Sequence, residues 1–133
     1  MIEKCFVVSE NIAELTGHEG VIFRIVFNGD FSMLASVSDD RTVRVWDMKS
    51  GSQLFAGWGH ICRVWDVSFY GQHEIITTGE DGVMKIWNFE TKLAISTLRG
   101  HIGSCLRLRV LPGPGRASFT PNLPQLNPSS NSR

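Results

Sequence analysis

A chain of 133 residues, 42% of them hydrophobic and 20% charged, has the length and apolar content of about one globular domain, which excludes a wholly disordered protein. It has no apolar run long enough for a membrane span, too short an apolar start for a secretory leader, and no C-x-x-C among Cys5, Cys62 and Cys105, so the expectation is a reduced, cytoplasmic chain without a metal site. The formal net charge of +0 hides an asymmetry: all 13 acidic residues lie at or before Glu90, whereas Lys92, Arg99, Arg107, Arg109, Arg116 and Arg133 follow it. Those six cations are scattered rather than clustered, so the basic half reads as a solvated segment before it reads as a nucleic-acid patch.

Residues 1–16 form a lead-in, of which 11–16 reads as the outer strand of a preceding unit, so the chain is expected to enter a repeat array part-way. Gly17-His18 opens a unit over 17–58, with an alternating apolar stretch at 21–27 and a second at 33–38. An acidic turn, Asp39-Asp40-Arg41, then leads into a third stretch at 42–47 that ends in Trp46-Asp47, and a fourth follows at 52–56. Gly59-His60 opens the next unit over 59–99, with stretches at 63–69, 74–78, 83–88 and 94–98, the turn Glu80-Asp81-Gly82 and the pair Trp87-Asn88. Gly100-His101 opens a third unit that runs only to about residue 110, where Pro112-Gly113-Pro114-Gly115 replaces the expected second strand. Residues 111–133 hold all five prolines and have the composition of a disordered tail without a core.

Gly-His recurs at residues 17, 59 and 100, and tryptophan at 46 and 87, so the repeat is about 41 residues long. β-Branched and aromatic residues fill the stretches, and Gly, Asp and Asn fill the breaks, as antiparallel strands joined by tight turns require. A unit of this length, beginning in Gly-His and ending in Trp-Asp, resembles the WD repeat, whose four strands make one blade of a β-propeller. The expected fold is therefore all-β: a partial WD-repeat β-propeller of two four-stranded blades plus the start of a third.

In both units a hydroxyl residue stands ten positions before the tryptophan and an aspartate six before it, giving His18, Ser36, Asp40 and Trp46 in one and His60, Thr77, Asp81 and Trp87 in the other. The resemblance implies that each set forms a hydrogen-bonded chain within its blade, running from indole through hydroxyl and imidazole to carboxylate, a sequence of donors and acceptors these groups permit. Ser, His and Asp also compose a nucleophilic triad. Against that reading, the set occurs twice, the second time with threonine, each copy is tied to a tryptophan, and no G-x-S-x-G elbow is present. Gly57-Trp58-Gly59 lacks the continuation of a phosphate loop, Trp65-Asp66 falls on a first strand as a packing pair, and His73 has no second ligand at metal spacing. No catalytic residue, cofactor or metal is read.

The stretch from Leu15 to Phe23, with Gly59-His60, Arg63-Val64-Trp65 and Gly79-Glu80-Asp81, is similar to WD-repeat regulators of 2′-O-methylation of the tRNA wobble nucleotide. That resemblance implies a non-catalytic cytoplasmic scaffold with two partners, tRNA and an FtsJ-type tRNA methyltransferase that carries the chemistry. It implies no membrane and no small-molecule substrate, and it assigns no partner-contacting residue. The alternative is a generic interaction propeller such as a ubiquitin-ligase substrate receptor. Such receptors often carry Arg two residues after Trp-Asp, where this chain has Lys49 and Glu90. Two blades expose the faces that neighbouring blades would bury, so a chain with no more than these is expected to be marginal or prone to aggregate.

Overall fold

The computed structural model describes residues 14–113 and 116–119, with side chains to Leu111. Eight strands form two sheets of the same design. The first contains β1 (Ile22–Phe27), β2 (Met33–Ser38), β3 (Thr42–Asp47) and β4 (Gln53–Trp58), paired antiparallel in sequence order. The second contains β5 (Val64–Phe69), β6 (Glu74–Gly79), β7 (Met84–Asn88) and β8 (Leu93–Leu98), paired in the same order. The strands fall where the alternating stretches place them, because short connections leave an antiparallel meander as the only local pairing.

Even the irregularities repeat. A register shift lies between Ile22 and Arg24 in β1 and again between Val64 and Asp66 in β5. Another lies beside each tryptophan, between Val45 and Trp46 and between Ile86 and Trp87. A β-bulge re-aims side chains and increases local twist, so its recurrence gives both blades one shape. The turn after the second strand places Arg41 and Gly82 in the left-handed region, each at φ 73°, and the next turn does the same with Gly51 (φ 75°) and Lys92 (φ 65°).

The core lies between the blades. Ala35, Val37, Val43, Val45 and Phe55 of the first sheet pack with Val64, Val67, Ile75, Trp87 and Phe89 of the second. The Phe55 and Trp87 rings stand 5.9 Å apart, and Phe23 lies against Trp65 at 4.4 Å. Burial of these side chains is the main favourable term holding one blade on the other.

Two regions depart from the expected strand pattern. Residues 11–13 of the expected preceding strand lie outside the described residues, and 14–16 carry no strand. After Gly100-His101, residues 104–109 form no strand either, although Cys105 N–H bonds Gly79 O at 3.0 Å. Within the segment read as a tail, β9 (Val110–Gly113) pairs with β10 (Arg116–Phe119) as a small hairpin. Among the described residues this hairpin pairs with neither four-stranded sheet, so no third blade is formed.

Candidate functional site

The structure brings both sets of sequence-predicted residues together. In the first blade, the Trp46 indole N–H donates to Ser36 Oγ at 2.9 Å, and Ser36 Oγ lies 2.7 Å from His18 Nε2. His18 Nδ1 in turn lies 2.9 Å from Asp40 Oδ2. In the second blade, Trp87 donates to Thr77 Oγ1 at 2.9 Å, Thr77 Oγ1 lies 2.8 Å from His60 Nε2, and His60 Nδ1 is 3.0 Å from Asp81 Oδ2. A neutral imidazole protonated at Nδ1 satisfies every member: indole gives to hydroxyl, hydroxyl to Nε2, and Nδ1–H to carboxylate. Each element supplies one part, since the histidine sits on the loop before the first strand, the hydroxyl on the second, the aspartate in the following turn and the indole on the third strand.

The two carboxylates are held differently. Asp40 accepts from the Thr42 hydroxyl at 2.6 Å, and from the Thr42 and Glu19 amides at 2.9 Å each. Burial raises its pKa, but the bonds from Thr42, Glu19 and His18 outweigh that effect and hold the carboxyl well below the ordinary carboxylate range. Asp81 accepts from the amides of Val83 at 3.1 Å and Ile61 at 3.2 Å, and Val83 stands where Thr42 stands in the first blade. His60 is buried more deeply than His18, and desolvation lowers its pKa against the opposing pull of Asp81.

These constellations do not carry the chemistry of a nucleophilic triad. Ser36 and Thr77 are fully enclosed, and each oxygen is engaged by both an indole and an imidazole. A nucleophile must instead be reachable by a reacting carbonyl. Among the described residues no three His, Cys, Asp or Glu side chains are grouped to hold a metal. His73 is half exposed, with Nδ1 3.7 Å from Glu90, and Trp65 packs on Phe23. Among the described residues no helix is long and apolar enough to cross a membrane.

Sequence reasoning missed the polar link between the blades. Asp66, buried on β5, receives Arg24 Nε of β1 at 3.1 Å and the Leu108 amide of the third unit's start at 2.9 Å. Arg24, Asp66 and Arg107 each stand six residues after the histidine of their unit, so the signal was available as an alternation of charge at one repeat position. A second link, Arg63 Nε to Asp39 at 2.6 Å, is exposed and is worth little by comparison. An open cleft of about 800 Å³ beside Asp66 collects Arg24, His101, Arg107 and Arg109.

With four strands per blade, a tetrad in each and a 41-residue period, the fold can be set against known families. The family model described as WD domain, G-beta repeat, matches residues 9–47 and 50–88, more than half of the chain. The chain belongs to the WD-repeat family. Among curated relatives, the tRNA (34-2′-O)-methyltransferase regulator WDR6 of Homo sapiens is 33% identical over 102 residues, which is 70% of this chain and 9% of that protein. Protein tipD of Dictyostelium discoideum is 37% identical over 89 residues, covering 66% of this chain and 14% of that protein. The chain thus spans under a fifth of the length of these relatives. A solved structure of U3-55K superimposes with a TM-score of 0.63 at 27% identity, covering 67% of this chain and 28% of that one. WD-repeat proteins are generally non-catalytic scaffolds, and the buried tetrads of this one accord with that character.

Proposed function

We propose that this WD-repeat chain is a non-catalytic scaffold that serves 2′-O-methylation of the tRNA wobble nucleotide, presenting substrate to an FtsJ-type methyltransferase that carries the chemistry. The observation that carries the reading is the similarity over 70% of the chain to a regulator whose name states that activity. Two features support it. The tetrads use their hydroxyl and imidazole groups to tie loop to blade, which leaves the chain to work by presenting surfaces. The cleft holding Arg24, Arg107 and Arg109 has the charge that RNA phosphates require. The cytoplasm is the compartment this reading assigns.

Affinity purification of the protein from its own cells should recover the methyltransferase, and depletion should lower methylation at the wobble ribose. Unchanged methylation after depletion, with no methyltransferase recovered, would leave a generic interaction propeller, the reading that the family match alone supports.

A further inference from the structure

One corner of the repeat is finished differently in the two blades. In the first, Arg44 on β3 donates to the Gln53 side chain at 2.6 Å and lies 5.8 Å from the Trp58 ring, so an amide oxygen and an aromatic face both engage the cation. Lys85 on β7 stands 41 residues later, where Ala94 takes the place of Gln53 and Arg99 that of Trp58. Its Nζ donates to the Thr97 hydroxyl at 3.0 Å and lies 6.0 Å from the Trp87 ring. The loops differ in the same sense: the acid Glu19 follows Gly17-His18, whereas Ile61, 74% exposed, follows Gly59-His60. The second blade has exchanged an amide, an aromatic and an acid for alanine, a second cation and an aliphatic.

Four of these residues meet in one notch of about 180 Å³, where Gly59, Ile61, Asp81, Val83, Lys85 and Arg99 form the lining. Gly59 and Ile61 leave the first blade and the others belong to the second, so both walls lie within the described residues. Among those residues neither Lys85 nor Arg99 has a carboxylate within ion-pair distance. Asp81 does not fill that role, since its oxygens take His60 Nδ1 and the Ile61 and Val83 amides. Two cations that line one notch repel each other and attract an anion between them.

We propose that this notch docks an acidic segment of a partner protein, with a carboxylate between Lys85 and Arg99 and an adjoining aliphatic side chain over Ile61. The size of the notch suits a side chain, because pockets for small molecules begin at roughly 300 Å³. Its apolar wall of Ile61 and Val83 suits such a segment better than an RNA backbone, which is bound through its phosphates by charge. The proposal holds whether the scaffold serves tRNA methylation or another assembly.

The test is fluorescence anisotropy of the 133-residue chain with labelled, end-blocked peptides in which leucine adjoins glutamate, the control peptides carrying glutamine instead. The glutamate peptides should bind about tenfold more tightly, and added salt should narrow the gap. Lys85→Gln should weaken their binding about tenfold, since the lost contact is charge-assisted and half-buried, while the replacement amide can still donate to Thr97. Arg99→Gln, at an exposed charge, should weaken it about threefold. Ile61→Glu places a carboxylate where the first blade has Glu19 and should abolish binding, with the circular dichroism of the sheets unchanged because Ile61 is exposed. Ala94→Gln, which offers Lys85 the partner that Arg44 has in Gln53, should weaken it as well. Equal binding of glutamate and glutamine peptides, or binding of neither, would overturn the proposal. Glutamate binding that survives in folded Lys85→Gln and Ile61→Glu chains would do the same. A single-stranded RNA oligonucleotide that displaces the peptide, and whose own binding is lost in Lys85→Gln, would make the notch a phosphate site instead.

Discussion

The two blades share a design but differ in how firmly each part of it is held. In the first, Thr42 supplies a hydroxyl and an amide to Asp40, so the carboxylate keeps partners even without its histidine. In the second, Val83 offers Asp81 an amide alone, and His60 is buried more deeply than His18. The second blade is also covered by the first, with Phe55 against Trp87, whereas the face of the first that bears Ile22 and Ile25 lies open. A repeat unit therefore fixes which groups meet, while neighbours and single substitutions decide how much each meeting contributes.

The largest expected effect comes from the tryptophans. Trp87→Ala should cost about 3–5 kcal/mol, the range for a large aromatic removed from a core, because the indole fills the space between the blades and bonds Thr77. Trp46→Ala should cost less, since Trp46 is not part of the cluster that joins the sheets. Urea unfolding of the two variants side by side measures the difference, and equal losses would break the contrast between a covered and an open face.

Next come the histidines. His60→Ala should cost about 1–3 kcal/mol, because the Thr77 hydroxyl loses its acceptor and Asp81 a donor inside the blade. His18→Ala should cost less, since Thr42 continues to satisfy Asp40. The same contrast has a pH signature. His60 binds a proton less readily when folded than at its ordinary value of 6.5. Acidification below that value therefore protonates the unfolded chain first, and stability falls as pH drops. Denaturant midpoints between about pH 7 and pH 5 should slope downward with acidification, and the slope should flatten in His60→Ala.

Much of this was legible in the sequence. Gly-His and Trp at a fixed period located both sheets, and the hydroxyl and aspartate offsets named groups that the structure brings within hydrogen-bond distance. The legibility has a physical source: a tetrad is made within one unit, so hydroxyl, aspartate and tryptophan keep their spacing from unit to unit and the histidine shifts by a single residue. Contacts between units lack that regularity. Arg24 and Asp66 bear opposite charges at one repeat position, and a single charge within an alternating strand looks like a residue turned to solvent. The β9–β10 hairpin was illegible for a different reason, since its pairing rests on backbone register in a segment whose composition signals no core.

A smaller effect tests the Thr42 contribution directly. Thr42→Val makes the first blade like the second at this position and removes the 2.6 Å bond to Asp40, for about 1 kcal/mol. Because that bond helps hold the carboxyl below its ordinary range, the unfolded chain takes up the proton first, and the stability it confers is lost as pH falls through the carboxylate range. Thr42→Val should then be less sensitive to acid below about pH 4 than the parent. Undiminished acid sensitivity would assign the low pKa of Asp40 to the Glu19 amide, His18 and the residue-42 amide instead.

The smallest effect concerns the turn that precedes the third strand. Arg41 and Gly82 occupy the same place in it with the same φ of 73°. A side chain there costs about 1–2 kcal/mol in the folded state, while glycine costs about 0.5–1 kcal/mol in unfolded-chain entropy. Arg41→Gly should accordingly stabilise the first blade by about 0.5 kcal/mol, the residue of those opposing terms. The reverse exchange in the second blade is not its mirror image. A Cβ on Gly82 would lie 2.8 Å from the carbonyl oxygens of both His101 and Gly103, so Gly82→Ala adds a backbone clash to the conformational strain. Its loss should exceed the gain from Arg41→Gly, and the excess measures how closely the start of the third unit is seated on the second blade. Equal and opposite changes would mean that residues 101–103 contribute nothing to the turn, and that the two blades differ there only in the residue each happens to carry.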